Sequence, residues 1–148
     1  MKDAAEIISL LYFLGALLRP FWGLYMIRLD SKLIINRIFL LLSLALSVWM
    51  LGFAMANSQS TVEVALLWRR FAAIGWTSIF SLILHFFLLI TADSRESTFC
   101  KFRSLLYIPS LILMFVFSFS NKMSAVQYNL IKVDTGWINS VVNNTWDY

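Results

Sequence analysis

A chain of 148 residues has the length of one ordinary domain, yet 60% of it is hydrophobic and only 14% is charged. A water-soluble domain carries roughly 25% charged residues to cover its surface, so this composition excludes one and indicates an all-α integral membrane helical bundle. The net charge of +4 does not signal a nucleic-acid partner, because the basic residues stand at the ends of apolar runs and not on one polar face.

Four apolar runs approach the requirement of about 20 residues per membrane span; they cover about 5–27, 33–56, 64–92 and 104–120. The first has no basic leader and no small-x-small cleavage site, so it reads as a span and not as a signal peptide. Arg19 interrupts it immediately before Pro20. Two readings apply to Arg19: a buried functional cation at a bent helix, or a side chain that snorkels along the span to the cytoplasmic edge.

Arg28-Leu29-Asp30-Ser31-Lys32, leading to Arg37, joins the first two runs; Asn57-Ser58-Gln59-Ser60-Thr61, polar and uncharged, joins the second and third. The third run is too long for one crossing. Its length corresponds to a rod of about 43 Å against a hydrocarbon core of about 30 Å, and Phe71 to Thr91 suffices to span. Glu63 to Arg70 then forms a helical extension at the outer interface, with Ser60 or Thr61 as N-cap. In this reading Trp68 lies at headgroup level. Arg69 and Arg70 escape the hydrocarbon, where each would cost about 2.5–3.5 kcal/mol.

His85 falls in the inner half of the third span. It reads either as a proton-sensitive group or as a neutral ring hydrogen-bonded to a neighbouring helix. The next connector, Asp93-Ser94-Arg95-Glu96-Ser97, continues through Cys100, Lys101 and Arg103. Cys100 is a juxtamembrane palmitoylation candidate or an unmodified small residue. One cysteine and one histidine cannot build an internal disulfide or a Cys/His metal site. Pro109 opens or bends the fourth span, and Gly15, Gly52 and Gly75 beside alanines allow close helix approach.

Residues 121–148 form a polar-aromatic segment, read as extracytoplasmic. Trp137, Trp146 and Tyr148 in it are candidates for a signal-binding surface or for an interfacial aromatic belt. Asn143-Asn144-Thr145 also fits the acceptor pattern for N-glycosylation. The first and third connectors carry Arg28, Lys32, Arg37, Arg95, Lys101 and Arg103, against Lys2, Lys122 and Lys132 on the other side. Arg69 and Arg70 count against that bias, but its balance places both termini outside. Phosphate-binding, metalloprotease and serine-hydrolase motifs are missing, so neither catalysis nor a cofactor is expected.

The stretch Trp68-Arg69-Arg70-Phe71-Ala72-Ala73-Ile74-Gly75-Trp76 resembles the third helix of the N-terminal seven-helix membrane region of bacterial sensor histidine kinases, a region also carried by some diguanylate cyclases. Leu105-Leu106-Tyr107-Ile108-Pro109-Ser110-Leu111 resembles the helix that follows. The resemblance covers about residues 38–137. It implies a bacterial plasma-membrane protein with an outward N-terminus, seven spans and a cytoplasmic output domain. Four runs against seven lead us to expect a piece or short form of such a receptor, matching only its first four helices. The expected function is a non-catalytic sensory input module. Its candidate partners are the lipid bilayer, a small-molecule or peptide signal and a second copy of the chain. A small transporter or channel subunit is the alternative, and a membrane-embedded enzyme ranks last because paired acid-base groups are missing.

Overall fold

The computed structural model describes residues 2–91, 103–119 and 129–139. Three long helices run α1 (Lys2–Leu29), α2 (Ile34–Asn57) and α3 (Val62–Thr91). A 3-10 turn, Arg103–Tyr107, leads into α4 (Ile108–Phe119). Two short antiparallel strands follow, β1 (Leu130–Val133) and β2 (Gly136–Asn139).

The first three helices are long and apolar enough to cross a membrane. At 1.5 Å per residue α3 extends about 45 Å, and it continues unbroken past Arg69 and Arg70. The helical stretch Ser104–Phe119 is shorter than the others. Extensive packing runs between helices consecutive in the chain, α1 on α2, α2 on α3 and α3 on α4. On α1, Leu10, Leu17, Leu18, Phe21 and Trp22 are each more than half exposed. Acyl chains cover such a face without cost, whereas water does not.

The contacts inside use small residues. Ala54, Ala56, Ala65, Ala72 and Ala73 are essentially inaccessible. A Cβ at Gly52 would stand 2.6 Å from Ala72 Cβ and 2.9 Å from its backbone, so α2 and α3 meet nearly backbone to backbone. Without a hydrophobic driving force between helices in lipid, such close approach supplies the dispersion energy that holds them.

Both prolines are stitched to a neighbouring helix by a serine. Pro20 lies inside α1 and cannot donate to the carbonyl of Ala16, four residues back. Ser47 Oγ of α2 donates to that carbonyl at 2.5 Å. Pro109 stands in the first turn of α4, where its missing N–H is tolerated. In the 3-10 pattern it would have served Leu106, three residues back, and Ser81 Oγ of α3 donates to the Leu106 carbonyl at 2.6 Å. Hydroxyls from adjacent helices are a general way to satisfy backbone groups that proline frees in a membrane.

The segment after α4 contains structure that the sequence reading treated only as a polar-aromatic tail. β1 and β2 pair with Leu130 opposite Asn139 and Lys132 opposite Trp137. Asp134 and Thr135 make the turn. Gly136 has φ +117°, where an L side chain is strained, and it also lies against the Asn57 side chain.

Candidate functional site

The hairpin is fastened to the end of the helices where α2 stops and α3 begins. Trp137 is the fastening residue. It is only 7% exposed and clusters with Ala65 and Leu130, with Leu66 packed alongside. Its backbone N–H donates to Asn57 Oδ1 at 3.3 Å, and its indole Nε1–H donates to the Gln59 carbonyl at 2.9 Å. Its own carbonyl accepts from Arg69 Nη2. Lys132, opposite it in the hairpin, reaches the Gln59 carbonyl at 3.4 Å and stands 5.5 Å from the indole centroid. Trp137 is therefore buried against the helices in this fold. The ring is enclosed because its amide, carbonyl and indole N–H all find partners on the helix ends.

Arg69, expected at the outer interface, is enclosed by the protein as well, at 7% exposure. The guanidinium carbon lies 3.8 Å over the Phe53 ring centroid, and the side chain reaches a carbonyl 68 residues later in the chain. A guanidinium can leave water when an aromatic face and a carbonyl replace its hydration. Trp68 is half-buried with its ring edge-on to Phe71 at 5.7 Å. Arg70 is also half-buried, and its carbonyl accepts from Ser118 Oγ of α4 at 3.1 Å.

Two clefts flank this junction. One, of about 320 Å³, lies between α2 and α3 and is lined by Trp49, Phe53, Arg69, Trp76, Ile79, Phe80 and Asn139. The other, of about 640 Å³, has Glu6, Asn57, Gln59, Lys132 and Asp134 among its lining residues. Among the described residues no group of three or more His, Cys, Asp and Glu side chains gathers to hold a metal.

A second polar cluster joins α3 to the start of α4. Ser110 Oγ donates to the Thr77 carbonyl at 2.7 Å, and the hydroxyls of Ser81 and Ser110 are 2.5 Å apart. With Ser81 also on the Leu106 carbonyl, two hydroxyl protons serve three short contacts. One turn along α3, His85 Nδ1 is 2.6 Å from the Tyr107 hydroxyl, with the rings edge to face. Arg19 is exposed on α1. Trp146, Tyr148 and Cys100 lie outside the described residues.

These features define a class: a multi-pass helical membrane protein whose helix ends are capped by a small docked hairpin. A model of the N-terminal 7TM region of histidine kinases matches residues 9–146. The chain belongs to that family, whose membrane region is a non-catalytic input module in contact with lipid. No curated protein and no solved structure gives a match.

Proposed function

We propose that this chain is the sensory front part of a bacterial histidine-kinase-type receptor and that the hairpin-capped end faces outward. In this reading the spans lie at about 5–27, 33–56, 64–92 and 104–120, both termini are extracytoplasmic, and the output domain belongs to a continuation of the chain. The clustering of Arg28, Lys32 and Arg37 at the opposite end supports the orientation. A second copy of the chain is a further partner in this proposal, for which the apolar faces of α1 and α4 leave room.

The observation that carries the function is the docked hairpin. Two strands of four residues are marginal alone, so their position depends on the Trp137 contacts with Asn57, Gln59 and Arg69. An outside signal influences the cytoplasm only by binding one arrangement better than another. A typical coupling of about 1–3 kcal/mol is the size of one or two of these hydrogen bonds. Hairpin docking is therefore a suitable two-state element, and the helices α2 and α3 that hold it are the route inward.

The test is autophosphorylation of the full-length receptor in nanodiscs with Trp137→Ala. Basal phosphorylation should shift at least threefold from wild type while expression and helix content stay unchanged. Unchanged phosphorylation with a demonstrably undocked hairpin would refute the role. Saturable solute flux through the chain in liposomes would favour the transporter reading instead.

A further inference from the structure

The cleft of about 640 Å³ lies where the start of α1, the end of α2 and the hairpin turn converge, and it has a floor and a rim. Asn57 is the floor, since it lines the cleft yet is only 9% exposed. Its Oδ1 accepts from the Trp137 N–H at 3.3 Å, which fixes the orientation of the amide and leaves the NH2 as its donor end. That NH2 makes no hydrogen bond among the described residues and is not sealed from the cleft. A nine-tenths buried donor therefore opens into it.

The rim is charged. Glu6 of α1 and Asp134 of the hairpin turn are exposed, and neither forms an ion pair among the described residues. Lys132 is exposed as well. Its two partners, the Gln59 carbonyl at 3.4 Å and the Trp137 ring at 5.5 Å, are both neutral, so no carboxylate is matched to it. Among the described lining residues none is aromatic and only Ala5 and Val133 are aliphatic, which leaves little for a large apolar body.

We infer that this cleft binds a small zwitterion of the amino-acid class, a free amino acid or a short peptide. The ligand's carboxylate takes the Asn57 NH2 and the Lys132 ammonium, and its own ammonium takes Glu6 and Asp134. Both signs decide the class. A plain cation would meet Lys132 and a plain anion would meet two carboxylates, whereas a zwitterion matches each. The volume falls within the range of small-molecule sites, about 300–1,000 Å³.

The inference rests on the input-module reading for its purpose and adds a coupling to it. Glu6 belongs to α1, Asn57 to α2, and Lys132 and Asp134 to the hairpin, so the site is complete only when the hairpin is docked. Binding and docking then strengthen each other to the same extent, as linkage requires.

The full chain in nanodiscs is screened by saturation-transfer NMR against pooled L-dipeptides and, in parallel, the standard free amino acids. At least one should bind saturably. Its N-acetyl derivative, which lacks the ammonium, and its C-terminal amide, which lacks the carboxylate, should each bind about fivefold or more weakly. Glu6→Gln and Lys132→Gln change exposed residues and should each weaken the zwitterion about two- to fivefold, the size of an exposed ion pair. Glu6→Gln should leave the N-acetyl form unaffected, and Lys132→Gln the amide. Asn57→Asp keeps an acceptor for Trp137 but removes the NH2, and should weaken the zwitterion most. No binder in either set, blocked forms that bind as well as the zwitterion, or indifference to both Glu6→Gln and Lys132→Gln would overturn the assignment. The last of these does not rely on the folding of the Asn57 variant. Free amino acids that bind as well as dipeptides identify a single amino acid as the ligand, and a preference for dipeptides identifies a peptide. Because binding needs no output domain, a site that binds while receptor phosphorylation ignores the hairpin refutes only the input reading. Phosphorylation that follows the hairpin without any zwitterion binding refutes only the site.

Discussion

The serine that replaces a missing proline donor makes a quantitative prediction. Ser47→Ala removes the hydroxyl that donates to the Ala16 carbonyl at 2.5 Å, and Pro20 leaves that carbonyl without its helical donor. Ala16 is only 4% exposed, and its surroundings in a bilayer offer little water. An unsatisfied buried acceptor costs about 1–3 kcal/mol, while measured interhelical polar contacts in membranes average about 0.6 and reach about 1.7 kcal/mol. The proline puts this contact near the upper membrane value, so Ser47→Ala should destabilise by about 1–1.7 kcal/mol. In a Pro20→Ala background the backbone N–H of residue 20 returns and serves Ala16 itself. There the same Ser47→Ala change should cost under about 0.5 kcal/mol. The assay is a double-mutant cycle on unfolding by sodium dodecyl sulfate in mixed micelles, followed by loss of helix signal. Equal costs in the two backgrounds would refute the stitching argument, because the serine would then be contributing something other than the missing donor.

Three further outcomes follow from the same geometry. Gly136→Ala forces a side chain into φ +117° and against Asn57, with Cβ 2.9 Å from Asn57 Cγ. At about 1–3 kcal/mol for the backbone strain alone, amide exchange over 130–139 should speed up severalfold to a hundredfold, with α3 unaffected. Gly52→Val drives a branched side chain into the Ala72 backbone, where nothing can yield, and should lower stability by about 1–3 kcal/mol or more. Gly15→Ala, which meets only the flexible end of Met50, should cost far less by the same unfolding assay. Reporter fusions at Ser60 and Tyr148 should read as external and one at Ser31 as cytoplasmic; a cytoplasmic Tyr148 signal in a stable protein would reverse the orientation.

The long helices were legible because bilayer thickness sets a length that apolar runs either meet or do not. The expected runs at about 5–27, 33–56 and 64–92 fall on α1, α2 and α3. The third helix was legible as family-like from Trp68-Arg69-Arg70 through Gly75, and the match over residues 9–146 agrees. What local reading missed depends on distant partners. Arg69 finds its carbonyl at Trp137, Ser47 reaches back 31 residues to Ala16 and Ser81 reaches forward 25 residues to Leu106. No window along the chain contains both ends of such a contact. Pro20 and Pro109 therefore read only as places where a helix bends or starts, although the structure gives each a stitched neighbour. The hairpin did leave a local signal. Leu130-Ile131-Lys132-Val133, then Asp134-Thr135-Gly136 and Trp137-Ile138, is a β-prone run, a turn and a second β-prone run. The strands are only four residues each, and the surrounding Asn and Asp residues hid them in what looked like a polar tail.

The central claim, that this chain is the input part of a longer signalling receptor, is tested most directly by sequencing the transcript across the codon for Tyr148. The account predicts an open reading frame that continues in phase through three further apolar runs into a kinase or cyclase output domain. A stop codon immediately after Tyr148 in the mature transcript would contradict it.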